Sequence, residues 1–194
     1  MSPRKKSIVG TETEKNIVQS YLAESSAYTR YTFYAQQAQK ESYFPIQEIF
    51  EETAANELHH AKVFFKMLQG GQVTVSMGDV DAGIIGTTAE NLEIAANEEQ
   101  QEGVVAYTEA AKVARKEGFD DIADHFEAIA SIEKTHEARF RKLLEQVKNG
   151  TVWKRDKAIT WKCLVCGFEY VGTEPPKVCP ACDHPYQHYK ALDM

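Results

Sequence analysis

Two Glu-x-x-His pairs, Glu57/His60 and Glu133/His136, stand 76 residues apart. Residues i and i+3 share one face of a helix, so each pair sets a carboxylate and an imidazole side by side. Glu99 and Glu102 form a third i, i+3 pair, eight and five residues before Tyr107. Glu24 lies on an aromatic, small-residue helix face, seven residues before Tyr31. The pairs belong to an internal repeat. A shift of 76 lays Tyr31-Thr32 on Tyr107-Thr108, Lys40-Glu41 on Lys116-Glu117, Phe50 on Phe126 and Phe64 on Phe140. The chain therefore reads as a duplicated helical hairpin, with glutamates on the leading helix and Glu-x-x-His on the trailing helix of each copy. A four-helix bundle with those residues in its core is a two-metal carboxylate site suited to redox chemistry. A helical Glu outside such a pattern is normally solvated. Glu12, Glu14, Glu52, Glu98 and Glu117 are read that way, and His59 and His125, off the i, i+3 pattern, as surface groups. Tyr31 and Tyr107 are open to two readings, core packing or a hydroxyl that holds a ligand carboxylate or passes protons.

A second cluster lies near the end. Cys163-x-x-Cys166-Gly and Cys179-Pro-x-Cys182 are separated by twelve residues. Four thiolates at this spacing make a tetrahedral S₄ site, and spacing alone admits zinc or iron. His184 and His188 are read as surface residues.

The elements that position these groups follow from local signals. A first helix is expected from about Glu14 to Glu41, ending before Phe44-Pro45, and a second from Pro45 to about Leu68, stopped by Gly70-Gly71. Residues 72–86 are long enough for a crossover between hairpins. Thr87-x-x-Glu90 reads as a capping box opening a third helix that ends near Gly118. Asp120 or Asp121 is expected to cap a fourth, ending at Asn149-Gly150. From Thr151 the chain turns aromatic and β-prone, so domains are expected at 1–150 and 151–194.

The net charge of −7 argues against nucleic acid or an anionic membrane as partner. The start, MSPRKKS, is basic but no apolar stretch follows, and no later segment is apolar enough to span a bilayer. Arg4, Lys5 and Lys6 are read as a solvated tail. Cysteine pairs without an export signal point to a metal site and a cytoplasmic location. No glycine-rich dinucleotide fingerprint occurs, so direct NADH binding is not expected.

The runs AESSAYTRYT, NELHHA, EEQQEGVVAY and SIEKTHEARFRKL resemble those of the rubrerythrins over nearly the whole chain, and Trp161, Phe168, Tyr170 and Pro175-Pro176 resemble a rubredoxin-type domain. Asp183 stands where rubredoxins usually have Gly. The resemblance implies a mainly α protein, a ferritin-like four-helix bundle with a small C-terminal rubredoxin-like metal-binding domain. It implies iron as cofactor, two ions in the bundle and one on Cys163, Cys166, Cys179 and Cys182. Glu57 and Glu133 would bridge the two irons, Glu24 would be terminal on one, and Glu99 and His136 on the other. Glu102 and His60 would alternate on the first iron, Glu102 in the oxidised state and His60 in the reduced state. Five glutamates leave one net negative charge with two ferrous ions, and the same with two ferric ions and an oxide. Constant charge lowers the cost of redox cycling in a low-dielectric core.

The implied activity is reduction of hydrogen peroxide to water. Electrons would come from NAD(P)H through a reductase or rubredoxin and then the Fe(Cys)₄ centre, protecting against oxidative stress. Glu102, His60, Tyr31 and Tyr107 are the expected catalytic residues. The implied assembly is a head-to-tail homodimer or a higher homo-oligomer. The competing readings are a ferritin-type iron-oxidising storage or detoxification protein, which leaves the cysteine tail and Glu102 without a role, and a non-enzymatic metal-sensing or zinc-binding protein.

Overall fold

A computed structural model describes residues 6–77 and 83–194. The elements run α1 (Glu12–Lys40), α2 (Phe44–Met67), α3 (Thr88–Glu98), a π-helical segment (Glu99–Ala106), α4 (Tyr107–Lys116), α5 (Asp120–Lys148), β1 (Ile159–Cys163), β2 (Glu169–Gly172) and β3 (Tyr189–Ala191). The backbone stays right-handed helical at both joints of the π segment, so α3, the π segment and α4 make one rod. The expected third helix is thus interrupted by a stretch of wider i→i+5 winding. Among the described residues no helix is long and apolar enough to cross a membrane.

The repeat is written into the helix ends. Thr87 and Glu90 form the expected capping box, with Thr87 N–H donating to Glu90 Oε2 at 2.7 Å and Glu90 N–H to Thr87 Oγ1 at 3.3 Å. Seventy-six residues earlier, Glu14 N–H donates to Thr11 Oγ1 at 3.1 Å and Glu14 Oε2 accepts from Gly10 N–H at 2.8 Å. Glu14 is therefore a buried capping residue, not a solvated one. Glu41 accepts from Thr88 N–H at 3.0 Å, and its repeat partner Glu117 accepts from Thr13 N–H at 2.8 Å. Both glutamates neutralise orphan N–H groups at a helix start, where a carboxylate also meets the positive end of the dipole. Both hairpin joints close in the same way, Tyr43 N–H to Ala38 O and Phe119 N–H to Ala114 O, each at 2.8 Å. Ser42 and Gly118 supply the left-handed residue, at φ 64° and 75°. α5 opens on the Phe119 carbonyl. Asp120 and Asp121 lie inside its first turn, and Asp121 Oδ1 accepts from Ile122 N–H at 3.1 Å.

The described chain forms two compact units. The first gathers residues 1–30, 53–83 and 97–137. Its core holds Ile8, Ile17 and the ring trio Phe64, Tyr107 and Phe126, with centroids 5.1–5.8 Å apart. Lys6 belongs to this unit rather than to a solvated tail: its ammonium binds the Glu117 carbonyl and lies 4.8 Å over the Phe119 ring. Arg4, Lys5 and Gly78 lie outside the described residues.

The second unit gathers residues 31–52, 84–96 and 138–194. It holds the repeat-related trio Tyr31, Phe50 and Phe140, with centroids 5.2–6.1 Å apart. The tail in this unit is an antiparallel sheet of order β2-β1-β3. Its core is Trp161, Cys163, Cys179, Tyr189 and Ala191. The tail docks on the α1–α2 joint. Trp153 stacks on Tyr43 at 5.5 Å and 7°, and His188 on Phe44 at 3.8 Å and 11°. Lys190 Nζ pairs with Glu48 at 2.7 Å. His188 is half-buried in this contact and His184 half-buried against it at 5.0 Å, where surface positions were expected.

Candidate metal centres

In the first unit α1, α2, the π segment and α5 contribute carboxylates and imidazoles to one buried cluster. Glu24, Glu57, His60 and Glu133 form one group, and Glu57, Glu99, Glu133 and His136 another. Within each group the ligand atoms all lie within 4.8 Å of one another. Glu57 and Glu133 belong to both groups, as two bridging carboxylates must. His60 Nδ1 is 2.9 Å from Glu133 Oε1 and 3.0 Å from Glu57 Oε2. His136 Nδ1 is 2.8 Å from Glu133 Oε2 and 3.2 Å from Glu57 Oε1. All six residues are at most 7% exposed. The structure thus brings together Glu24, Glu57, His60, Glu99, Glu133 and His136. Glu102 belongs to the π segment, and its side chain lies outside the described residues. His59 and His125 are exposed, as expected.

The electrostatics call for a cation. Burial pushes Glu24 well above the usual carboxylate range and Glu99 up to about 8. Burial also works to lower the histidines, but the carboxylates around them prevail. Glu133, Glu24 and Glu57 raise His60 to about 12, and Glu133, Glu57 and Glu99 raise His136 to about 11. Burial works against ionised Glu57, yet hydrogen bonds to His136, His60 and Glu24 hold it at about 2. Protons and imidazolium charge thus do the work of metal ions, and do it incompletely. Glu57 Oε1, both Glu133 oxygens and His136 Nδ1 are buried and meet no hydrogen bond of ordinary geometry among the described residues, short as the ion-pair distances are. Orphaned ligand atoms of this kind, on α2 and α5 within a cluster completed by Glu24 and Glu99, fit divalent transition metal ions.

Supporting residues surround the cluster. Tyr107 donates its Oη–H to Glu24 Oε1 at 2.5 Å from a fully buried position. Asn56 faces His136 Nε2 at 3.4 Å, placing an amide behind the ring nitrogen that points away from the cluster. Gly103 lets the π segment close onto Glu133, since a Cβ there would lie 2.5 Å from Glu133 Cβ and Cγ. Glu98, read from sequence as solvated, is buried in an ion pair with Arg30 immediately before the π segment. Tyr31 lies fully buried in its ring trio.

One feature of the sequence does mark the π segment. Seven residues separate Glu24 from Tyr31, and eight separate Glu99 from Tyr107. The repeat is in register at both tyrosines, so one extra residue must be taken up between Glu99 and Tyr107. The π segment Glu99–Ala106 spans that interval.

The four cysteines form the second cluster. Cys163 Sγ lies 3.7 Å from Cys182 Sγ, and Cys166 Sγ 3.7 Å from Cys179 Sγ. A tetrahedron with metal–sulfur bonds of about 2.3 Å has edges of about 3.8 Å, whereas a disulfide is about 2.05 Å. The two knuckles match each other. Cys163 N–H bonds Phe168 O and Cys179 N–H bonds His184 O, each at 2.8 Å. Gly167 and Asp183 occupy the left-handed position that closes each turn, at φ 80° and 58°, and Asp tolerates it. Burial raises Cys179, but the Tyr189 hydroxyl and the N–H groups of Ala181 and Cys182 prevail and hold it at about 6. The His184 N–H works to lower Cys182, while burial and the other three sulfurs push it up to about 12. The four thiols cannot all ionise without a bound cation.

Comparison with known proteins agrees with this geometry. Residues 15–144 and 90–166 match the Rubrerythrin family, and residues 161–190 match the rubrerythrin rubredoxin-like domain. The chain is 43% identical over 187 residues to a rubrerythrin of Porphyromonas gingivalis, covering 96% of this chain and 93% of that one. It is 41% identical over 189 residues to a rubrerythrin of Nitratidesulfovibrio vulgaris, covering 97% and 98%. Among solved structures, fully reduced nigerythrin superposes with a TM-score of 0.62 at 26% identity, covering 99% of this chain and 92% of that one. A bacterioferritin of Mycobacterium tuberculosis, 17% identical with a TM-score of 0.62 and covering 72% of this chain and 88% of that one, shares the fold. The fold is the ferritin-like bundle with a rubredoxin-like tail.

Proposed function

Because the chain belongs to the rubrerythrin family and carries its di-iron and Fe(Cys)₄ sites, we propose that it is a peroxidase. It reduces hydrogen peroxide to two waters with two electrons and two protons. The electrons originate from NAD(P)H and arrive through a separate reductase or rubredoxin. The observation that carries this reading is the sharing of Glu57 and Glu133 by two buried ligand groups in a chain that also holds four clustered thiols. When bound, the bundle irons supply the two electrons together, and the cysteine-held iron passes them on one at a time.

The residues of this chain have distinct tasks. Glu57 and Glu133 hold the two metal positions together. Glu24 and His60 would complete one position, and Glu99 and His136 the other. Glu102 would be the additional carboxylate of the first, the partner that exchanges with His60 when the metal changes oxidation state. Tyr107, hydrogen-bonded to Glu24, fixes that carboxylate and holds a proton within reach of the cluster. Tyr31 holds the repeat-equivalent position, with its ring buried against Phe50 and Phe140. Asn56 holds the His136 ring in one orientation. Burial excludes bulk water, so protons travel through side chains. The bundle domain is 1–150 and the electron-entry domain 151–194. The protein works in the cytoplasm as a homodimer at least, with electrons crossing between subunits.

The test is NADH oxidation driven by hydrogen peroxide in the presence of a reductase. Cys163→Ser should abolish it while the chemically reduced bundle still consumes peroxide in one turnover. Full reductase-linked activity in that variant would refute the electron-entry role of the tail.

A further inference from the structure

We infer that Tyr189 sets the reduction potential of the cysteine-held iron by donating its hydroxyl proton to the Cys179 sulfur. Tyr189 is fully buried in the same core as Cys163 and Cys179. Its backbone is pinned on two sides. It pairs with Cys163 in the β1–β3 ladder, and its carbonyl accepts from Trp153 Nε1–H at 3.0 Å. The ring is wholly buried, and its hydroxyl does not reach water. Tyr189 Oη is itself buried and meets no hydrogen bond of ordinary geometry among the described residues. Tyr189 shares one buried core with Cys163 and Cys179, and it favours the ionised form of Cys179. A buried hydroxyl without an acceptor is costly, and a metal-bound thiolate supplies the acceptor that the free thiol supplies poorly.

Cys179 is thereby distinguished from the other three ligands. The N–H groups of Ala181 and Cys182 favour its thiolate, and the buried Tyr189 hydroxyl in the same core would add an O–H once the thiolate is metal-bound. The electron step involves no proton and breaks no bond. One electron takes ferric iron with four thiolates to ferrous iron with four thiolates, and the net charge from one negative to two. A donor on sulfur stabilises the more negative, reduced form more than the oxidised one, which raises the potential. This holds whatever oxidant the bundle reduces, so it is independent of the peroxidase reading.

The experiment is Tyr189→Phe in the full iron-loaded chain, followed by redox titration on the sulfur-to-iron charge-transfer band. Phe keeps the ring and removes only the donor. The potential should fall. At a fixed poise the reduced-to-oxidised ratio should drop by up to about tenfold, which is about 59 mV for a one-electron couple. The iron–sulfur stretching bands should shift, with iron content and the bundle spectrum unchanged. An unchanged potential and unchanged stretches at full iron loading would overturn the inference. Should the variant load iron incompletely, the unsubstituted chain decides the matter. With NMR-active cadmium on the four cysteines, the Tyr189 hydroxyl proton should exchange slowly and show scalar coupling to the metal. A freely exchanging hydroxyl without that coupling would refute it.

Discussion

Replacing Tyr107 by Phe removes one hydroxyl and leaves the packing intact. The ring is 4% exposed and wedged against Phe64 and Phe126 at 5.4 and 5.8 Å, contacts that Phe reproduces. What disappears is the 2.5 Å bond to Glu24. Its worth depends on metal. In the metal-free protein burial holds Glu24 well above the usual carboxylate range, so the bond joins two neutral groups and contributes about 1 kcal/mol. With metal bound Glu24 is an anion, and a hydrogen bond to a charged group contributes about 1.5–3 kcal/mol. The difference, about 0.5–2 kcal/mol, falls on metal affinity. At a factor of ten per 1.4 kcal/mol, Tyr107→Phe should weaken binding about two- to thirtyfold. The assay is anaerobic titration of the metal-free protein with ferrous or cobaltous ion against a competing chelator. The first metal position should lose affinity, and the cysteine site should not. Affinity within twofold of the parent, in a variant of unchanged fold, would show that the hydroxyl does not hold Glu24 and that the proton role assigned to Tyr107 is wrong.

Other outcomes follow from the same geometry. The metal-free bundle should lose stability as pH rises above about 6.5. His60 and His136 have folded values raised to about 12 and 11, so their contribution is complete below the unfolded value near 6.5 and fades toward those values, while Glu99, raised to about 8, acts with the same sign from about 4.5 upward. At the acid end Glu57, lowered to about 2, loses its contribution as pH falls below about 4.5. Chemical unfolding of chelated protein across pH checks both limbs, and metal loading at pH 7 should release protons into weak buffer. Arg30→Met should cost about 3–5 kcal/mol by leaving Glu98 buried without its cation, and Glu98→Gln in the same chain should recover part of that; equal stability of Arg30→Met and the parent would refute it. Glu102→Ala should slow peroxide reduction while the bundle keeps most of its iron, and an unchanged rate in a fully loaded variant would remove Glu102 from the reaction. Mixed dimers of Cys163→Ser with Glu57→Ala/His60→Ala chains should regain reductase-linked activity that neither parent homodimer has, if electrons cross between subunits.

Much of this was legible in residue types and spacing because helix periodicity is local. The i, i+3 pairs, the Thr87–Glu90 box and the knuckle turns each depend on a few consecutive residues. What was not legible depends on partners distant in sequence. Glu98 looked solvated because its cation, Arg30, lies 68 positions earlier. Glu14 and Glu117 looked like surface acids, although each satisfies backbone donors at a helix start. The half-burial of His188 needs Phe44, which reaches it only through the docking of the tail. The π segment was recoverable in principle, from a count of eight residues against seven, but the count has meaning only once both tyrosines are known to sit in equivalent ring trios.

That single additional residue carries a consequence for how such a protein diversifies. Two identical hairpins would offer two interchangeable metal positions. An insertion of one residue in one copy, absorbed as wider winding between Glu99 and Tyr107, ends the equivalence without disturbing the capping boxes, the hairpin joints or the ring trios that the copies still share. Asymmetry in the reactive centre is thus inherited as a length difference as well as in side chains, since at the shift of 76 Glu102 falls on Ser26 of the first copy.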